Sequence, residues 1–267
     1  AALDGSGGDA TVAIGYQALY TNTTGNCNVA IGCGALFTND TGRENVGVGF
    51  RPLYSITTGR QNIALGFCSL ASLTSAESNT SIGTSAGSSI TTGGTNVIIG
   101  QSAATSLTTG AQNTVVGVCA FIDGVTEQRA VAIGRSAGGG GGDTVFVGYL
   151  AGRSNTQAST IAIGRSALGA NTTGASNTVV GNNALNSNTT GSTNTAVGYC
   201  VLGANITGQH NVAIGALSLC TSTDQSYIVA IGYRSMCGAT EGGNSVAVGH
   251  KTLTLNSGNT VSVAVGC

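Results

Sequence analysis

The chain has 267 residues, of which only 7% are charged and 4% are aromatic, with no Trp and a single Pro. Its formal net charge is −1 and its 9 Lys and Arg residues form no stripe, which argues against a nucleic-acid partner. No run of about eighteen apolar residues occurs and the N-terminus lacks the pattern of a signal peptide, so membrane insertion is not expected. Large side chains are too few for an ordinary core, whereas thin layers of small and β-branched residues suit stacked coils.

A short apolar phrase closed by Gly recurs along the whole chain. The step between closing glycines is 17 residues, except for 14 from Gly134 to Gly148 and 16 from Gly148 to Gly164. A short period kept over this length predicts a solenoid in which each coil stacks on its neighbours. We therefore predict an all-β parallel β-solenoid, or β-roll, of about 16 coils over residues 9–267, after a flank at 1–8. The closing glycines are Gly15, Gly32, Gly49, Gly66, Gly83, Gly100, Gly117, Gly134, Gly148, Gly164, Gly181, Gly198, Gly215, Gly232, Gly249 and Gly266.

The same elements follow one another in every coil, which we number from its closing glycine as offset 0. A strand is predicted over offsets −3 to −1, starting with residues 12–14, because −1 is always aliphatic and −3 is mostly Val or Ile. A second short strand is predicted around +4, which is mostly Leu and follows a small residue at +3. An outer turn of the form NTTG comes next. An Asn at −4 then precedes the next strand, where stacked amides can bond to one another.

The two faces of the first strand carry different side chains. Offsets −3 and −1 share one face and are predicted to form a buried ladder, with offset −2 on the opposite face. A face of small residues repeated in every coil indicates a close second surface, which we expect to be another copy of the chain. The alternative is that −2 faces the second wall of the chain's own coil. The residues predicted to form this subunit interface are Ala13, Ala30, Ala132, Ala213, Ala230 and Ala247.

Candidates for chemistry are few, so neither an enzyme nor a cofactor is expected. The 8 cysteines show no zinc-binding spacing. Cys220 and Cys237 share offset +5 in adjacent coils, which places a disulfide within reach, although parallel side chains can point wrongly. Free thiols acting as small apolar fillers are the alternative. His210 and His250 lie at different offsets and the carboxylates are scattered, so no triad or metal centre is expected.

Several phrases of the repeat resemble those of known surface fibres. NVAIG, NTAVGY, TVAIGYQALYTNTTG and NTVVGNNALNSNTTG resemble the head repeats of YadA-type trimeric autotransporter adhesins, and more closely the NTAxGYxAL…NTTG repeats of bacteriophage tail fibres. The resemblance runs from about Asp9 to Cys267. It implies a left-handed parallel β-roll, three chains around a common axis, and attachment to a host or surface. Because the last coil has no capping element, we expect the chain to be part of a longer fibre.

These expectations favour a structural and adhesive fibre segment. It would be a trimeric β-roll rod that presents or spaces a receptor-binding surface on a virion or cell, in an extracellular setting. Its partners would be further copies of itself and a host-cell or surface receptor, either protein or glycan. Two alternatives remain open. Stacked Thr pairs at +8 and +9, such as Thr23 and Thr24, suggest an ice-binding solenoid, and exposed final layers at Ile14 and Val265 suggest an end-to-end filament.

Overall fold

The computed structural model describes residues 10–238, 243–254 and 261–267. Their fold is an all-β solenoid with a repeat of about 17 residues and parallel strands, as predicted, and no helix occurs in these ranges. The chain divides into two compact units, Ala1–Arg135 and Ser136–Cys267. The flank expected at 1–8, together with Asp9, lies outside the described residues.

Each coil contributes one three-residue strand at offsets −3 to −1. In both units the strands pair in sequence order and in register, so equal offsets lie side by side. The first unit contains β1 (Val12–Ile14), β2 (Val29–Ile31), β3 (Val46–Val48), β4 (Ile63–Leu65), β5 (Thr80–Ile82), β6 (Val97–Ile99), β7 (Thr114–Val116) and β8 (Val131–Ile133). The second contains β9 (Val145–Val147), β10 (Ile161–Ile163), β11 (Thr178–Val180), β12 (Thr195–Val197), β13 (Val212–Ile214), β14 (Val229–Ile231), β15 (Val246–Val248) and β16 (Val263–Val265).

The closing glycine ends each strand for two physical reasons. Gly198 has φ +139°, a conformation that residues with a side chain rarely adopt. A Cβ atom on Gly198 would also lie 2.8 Å from the carbonyl carbon of Gly215 in the next coil. The coils therefore touch backbone to backbone at this corner, and only Gly permits so close a stack.

The second wall of the coil is not a strand, so the prediction of two strands per coil is wrong. Arg51 at +2 and Leu53 at +4 have φ 52° and 50°, in the left-handed region. A left-handed residue turns the chain and cannot continue an extended strand. A third left-handed position occurs at −5, where Glu44 has φ 58°. Stacked turns replace the second sheet, and the Leu53 N–H donates to the Ser69 carbonyl of the next coil at 3.0 Å.

The core lies between offset −2 of the strand and offsets +3 and +4 of the turns. Ala30, Ala35 and Leu36 are all fully buried, whereas Val97 and Ile99, at −3 and −1, are 39% and 36% exposed. The predicted burial of −3 and −1 is therefore wrong. The reason is steric: Leu at +4 fills the narrow interior, so the strand residue that faces it must be small. A Cβ atom added at Gly47 would overlap the Cδ1 atom of Leu36.

Side-chain volumes inside the coils compensate for one another. Ile98 is large for offset −2, and it packs over Gly87, where an added Cβ would lie only 3.0 Å from its Cδ1 atom. Phe146 also occupies offset −2, and its ring lies against Gly152 at offset +4 of the same coil. At these two places a large strand residue is matched by Gly on the turn wall, which keeps the interior filled without overpacking.

Buried asparagines at offset −4 fasten the outer turns to the strands. The Nδ2 of Asn79 donates to the Gly93 carbonyl at 3.0 Å and to the Oδ1 of Asn62 at 3.1 Å. Its own Oδ1 accepts from the backbone N–H of Asn96 at 3.0 Å. The predicted bonding between stacked amides is therefore present, and it satisfies groups that water cannot reach.

A second asparagine ladder occupies offset +7 in parts of each unit. Asn39 Nδ2 donates to Asn22 Oδ1 at 2.7 Å, and Asn205 Nδ2 donates to Asn188 Oδ1 at 2.8 Å. The Oδ1 atoms of Asn39 and Asn205 are buried without a partner, because the next coil carries Ile56 or Ser222 in place of Asn. All six Asn residues of the N-x-S/T sequons are at most 1% exposed and so have no surface for glycosylation: Asn22, Asn39, Asn79, Asn171, Asn188 and Asn205.

Candidate self-association surface

The outer face of the strands in each unit is an aliphatic surface, which we call the outward ribbon. It consists of offsets −3 and −1 of each coil, and every member is Val, Ile, Leu or Thr. In the middle of the units its exposed members include Ile63, Ile99 and Ile163, at 39%, 36% and 38%. The strand register aligns these side chains along the stack, so each unit has its own mostly apolar ribbon, in which the only hydroxyl-bearing members of the described strands are Thr80, Thr114, Thr178 and Thr195.

A contiguous apolar surface of this kind is unusual on a chain that stays alone in water. At roughly 50 Å² of exposed area per residue, the sixteen ribbon positions of one unit present about 800 Å², which is the contribution of one partner to a standard interface. Single exposed aliphatic residues need no explanation, but patches of several hundred square ångströms mark interaction sites. The outward ribbon is therefore the candidate functional surface of each unit.

The alanines predicted to form a subunit interface lie inside the chain's own coils. Ala30, Ala132, Ala213, Ala230 and Ala247 have no exposed surface in the single chain, and the partly buried Ala13 packs against the core of the first unit. The five fully buried alanines have no area to offer another chain, so the prediction is wrong and the alternative, that −2 faces the coil's second wall, holds. The same strands that carry these alanines position the outward ribbon on their other face.

No protein-family model matches the chain, and no curated protein matches it either. The arrangement of the described residues therefore carries the functional argument.

The predicted cysteine pair is joined. Cys220 and Cys237 form a disulfide with Cα atoms 4.9 Å apart, which links two adjacent coils of the second unit. The thiols of Cys68, Cys119 and Cys200 are free and partly buried. Among the residues that the structure describes, no group of three His, Cys, Asp or Glu side chains is placed to hold a metal ion.

Aromatic side chains stack between coils of the first unit, a feature that the sequence reasoning missed. Tyr20, Phe37 and Tyr54 share offset +5 in three successive coils, and their ring centroids are 5.3 and 4.9 Å apart. A separate stack lies at offset +1, where the rings of Phe50 and Phe67 have their centroids 5.2 Å apart. The recurrence of aromatic residues at one offset was the available signal. The flat faces are covered by one another, so these stacks stabilise the coil surface.

Charged groups near the strands contribute little to the stability of the fold. Arg60 and Glu77 form an ion pair of 2.9 Å between adjacent coils, and the hydrogen bond and charge of Glu77 raise the pKa of Arg60. Both side chains are nearly half exposed, so solvent screens the pair. A hydrogen bond with Cys200 raises the pKa of Tyr199. Among the described residues there is no helix long and apolar enough to cross a membrane.

Proposed function

We propose that the protein is a structural and adhesive fibre segment, a homotrimeric β-roll that presents or spaces a receptor-binding surface on a virion or cell. The observation that supports this most directly is the outward ribbon, which leaves an uncharged and mostly aliphatic surface in water along the described strands. Burying that surface against other chains would add hydrophobic stabilisation to that of each chain's own core.

A second copy of the same chain is the partner that fits the outward ribbon best. Its ribbon has the same spacing between coils, so side chains of two copies can interdigitate coil by coil over the length of a unit. The ribbon carries no charge that would select a different partner by electrostatic complementarity. The likeness of the repeats to trimeric adhesin heads and tail fibres favours three copies in an extracellular fibre.

The ice-binding alternative is weakened by the use of the Thr hydroxyls. Thr57 Oγ1 donates to the Thr74 carbonyl at 3.2 Å, and Thr74 Oγ1 donates to the Thr91 carbonyl at 3.1 Å. The hydroxyls at offset +8 are thus bonded within the chain. The exposed hydroxyls at +9 form a rank only one residue wide, which is a narrow surface for a regular water lattice.

Mass in solution tests the proposal. By sedimentation equilibrium we expect three times the chain mass of 26.0 kDa, independent of concentration. The double variant Ile163→Lys/Val180→Lys places two charges on the outward ribbon, and it should dissociate into folded monomers with the native circular dichroism spectrum. Asn182→Lys, on an exposed position beside the same strands, is the matched control and should stay trimeric.

Two results would count against the trimer. A native protein that sediments as a monomer contradicts self-association through the outward ribbon. A mass that rises steadily with concentration contradicts a closed trimer and supports the end-to-end filament instead.

A further inference from the structure

The second unit has a surface groove beside its disulfide, and two of the residues that line the groove are cations. It has a volume of about 390 Å³. It lies on the turns of the coils rather than on the outward ribbon, so self-association leaves it accessible. The described residues that line it are Thr221, Arg234, Cys237, Gly238, Lys251 and Thr254.

Two cations face this groove from adjacent coils. Arg234 and Lys251 both occupy offset +2, and the Lys251 N–H donates to the carbonyl of Tyr233, the neighbour of Arg234, at 2.9 Å. Their side chains are exposed, and neither forms an ion pair with a described carboxylate. Like charges in register on neighbouring coils repel each other, so an anion between them would relieve an unfavourable contact.

The rest of the groove supplies shape and hydrogen bonding. The Gly238 N–H donates to the Thr254 carbonyl at 2.8 Å, which holds the two coils together beside the groove. The disulfide fixes Cys237 to the coil below, so this wall is held covalently. Thr221 and Thr254 line the same space; the Thr221 hydroxyl donates to the Cys237 carbonyl and can accept from a polar ligand, and the Thr254 hydroxyl can accept or donate.

We propose that this groove binds a small organic anion the size of a monosaccharide, with its carboxylate or phosphate group between Arg234 and Lys251. A volume of about 390 Å³ lies in the usual range for small-molecule sites and exceeds what a bare inorganic ion fills. Guanidinium and ammonium groups together give charge-assisted bonds to such a group, with Arg able to bind it in a bidentate fashion. The proposal gives a ligand class for the proposed adhesive function. Binding in the groove does not depend on that function, and only its biological role rests on it.

Calorimetric titration of the oxidised full chain with glucuronate, glucose 6-phosphate, glucose and inorganic phosphate tests the site. We expect glucuronate or glucose 6-phosphate to bind, with an affinity that falls as salt is raised, and glucose to bind at least tenfold more weakly. Arg234→Gln and Lys251→Gln should each weaken binding of the anionic sugar at least tenfold. Arg43→Gln removes an exposed charge from the other unit and should leave the affinity unchanged.

Four outcomes would overturn the site. These are no binding of either anionic sugar at millimolar concentration, equal affinity for glucose, unchanged affinity in Arg234→Gln and Lys251→Gln, and inorganic phosphate binding as tightly as the anionic sugars. The last result would mean that the groove holds an oxyanion without using its volume. Oligomeric mass is a separate measurement, so failure of the groove and failure of the fibre proposal are distinguishable.

Discussion

Removing one asparagine from the middle of the offset −4 ladder should destabilise the first unit strongly. Asn79 is 1% exposed, and Asn79→Ala removes the donor to the Gly93 carbonyl and the acceptor of the Asn96 backbone N–H, both at 3.0 Å. Asn62 Oδ1 keeps the backbone N–H of residue 79, and Asn96 Nδ2 keeps the Gly110 carbonyl when it loses Asn79 Oδ1, so two groups lose their only partners. Each buried unsatisfied group costs about 1–3 kcal/mol, which gives an expected loss of about 4 kcal/mol in the free energy of unfolding.

Urea denaturation followed by circular dichroism measures this loss. Gln61→Ala is the control in the neighbouring coil, because Gln61 is exposed and bonds to Glu44 at the surface, and its effect should stay within about 0.5 kcal/mol. A loss in Asn79→Ala of less than about 1 kcal/mol beyond the control would refute the reasoning. It would mean that water enters the ladder and replaces the amide.

The companion variant Asn79→Asp should make the free energy of unfolding depend on pH, and burial determines the sign of that dependence. Burial raises the folded-state pKa of the new carboxyl above its unfolded value of about 3.9, and only the protonated form can donate to Gly93. The variant should therefore be most stable below about pH 4 and lose stability as the pH rises through the folded pKa. Stability that increases from pH 4 to pH 7 would contradict the burial of this position.

Three further changes test the backbone contacts, the core and the disulfide. Gly198→Ala should lower the free energy of unfolding by more than about 3 kcal/mol, because the added Cβ both clashes with the next coil's backbone and strains the residue's own backbone. Gly266→Ala is the control: its φ is +135° but no atom lies within 4 Å of the added Cβ, so it should lower the free energy of unfolding by only about 1–2 kcal/mol. Equal losses measured by urea denaturation would show that the clash at Gly198 is relieved. Ala213→Leu should overpack the core and lose about 1–3 kcal/mol while oligomeric mass is kept, and dissociation at unchanged stability would restore its interface role. Replacing Cys220 and Cys237 by Ser should lose about 3 kcal/mol, and an unfolding midpoint equal to that of the oxidised protein would contradict a closed link.

The sequence predicts the repeat, the parallel stack and the position of every strand, because the glycine phrase marks a corner that only Gly can form. It also predicts the bonding of the amides at −4, where identical residues recur at the spacing of the coils. These features depend on local chemistry repeated in register. The same residue pattern therefore predicts the same local structure in each coil.

The orientation of the strand is what the sequence does not determine. Both of its faces are apolar, so the usual alternation of polar and apolar residues is missing. Which face turns inward depends on how much space the Leu side chain at +4, such as Leu36 or Leu53, leaves for the strand residue opposite it. The left-handed conformation of these leucines is equally hidden, since Leu has no local preference for it.

The left-handed residues at −5, +2 and +4 bear on how the protein reaches its native state. Each costs about 1 kcal/mol or more, so a coil carries an intrinsic penalty of roughly 3 kcal/mol before it contacts any neighbour. Only hydrogen bonds and packing from the coils on either side offset this penalty. An isolated coil is therefore a high-energy species, and the smallest folding nucleus must contain several coils formed together. Once that nucleus exists, each added coil has a finished template, and growth of a unit becomes cooperative.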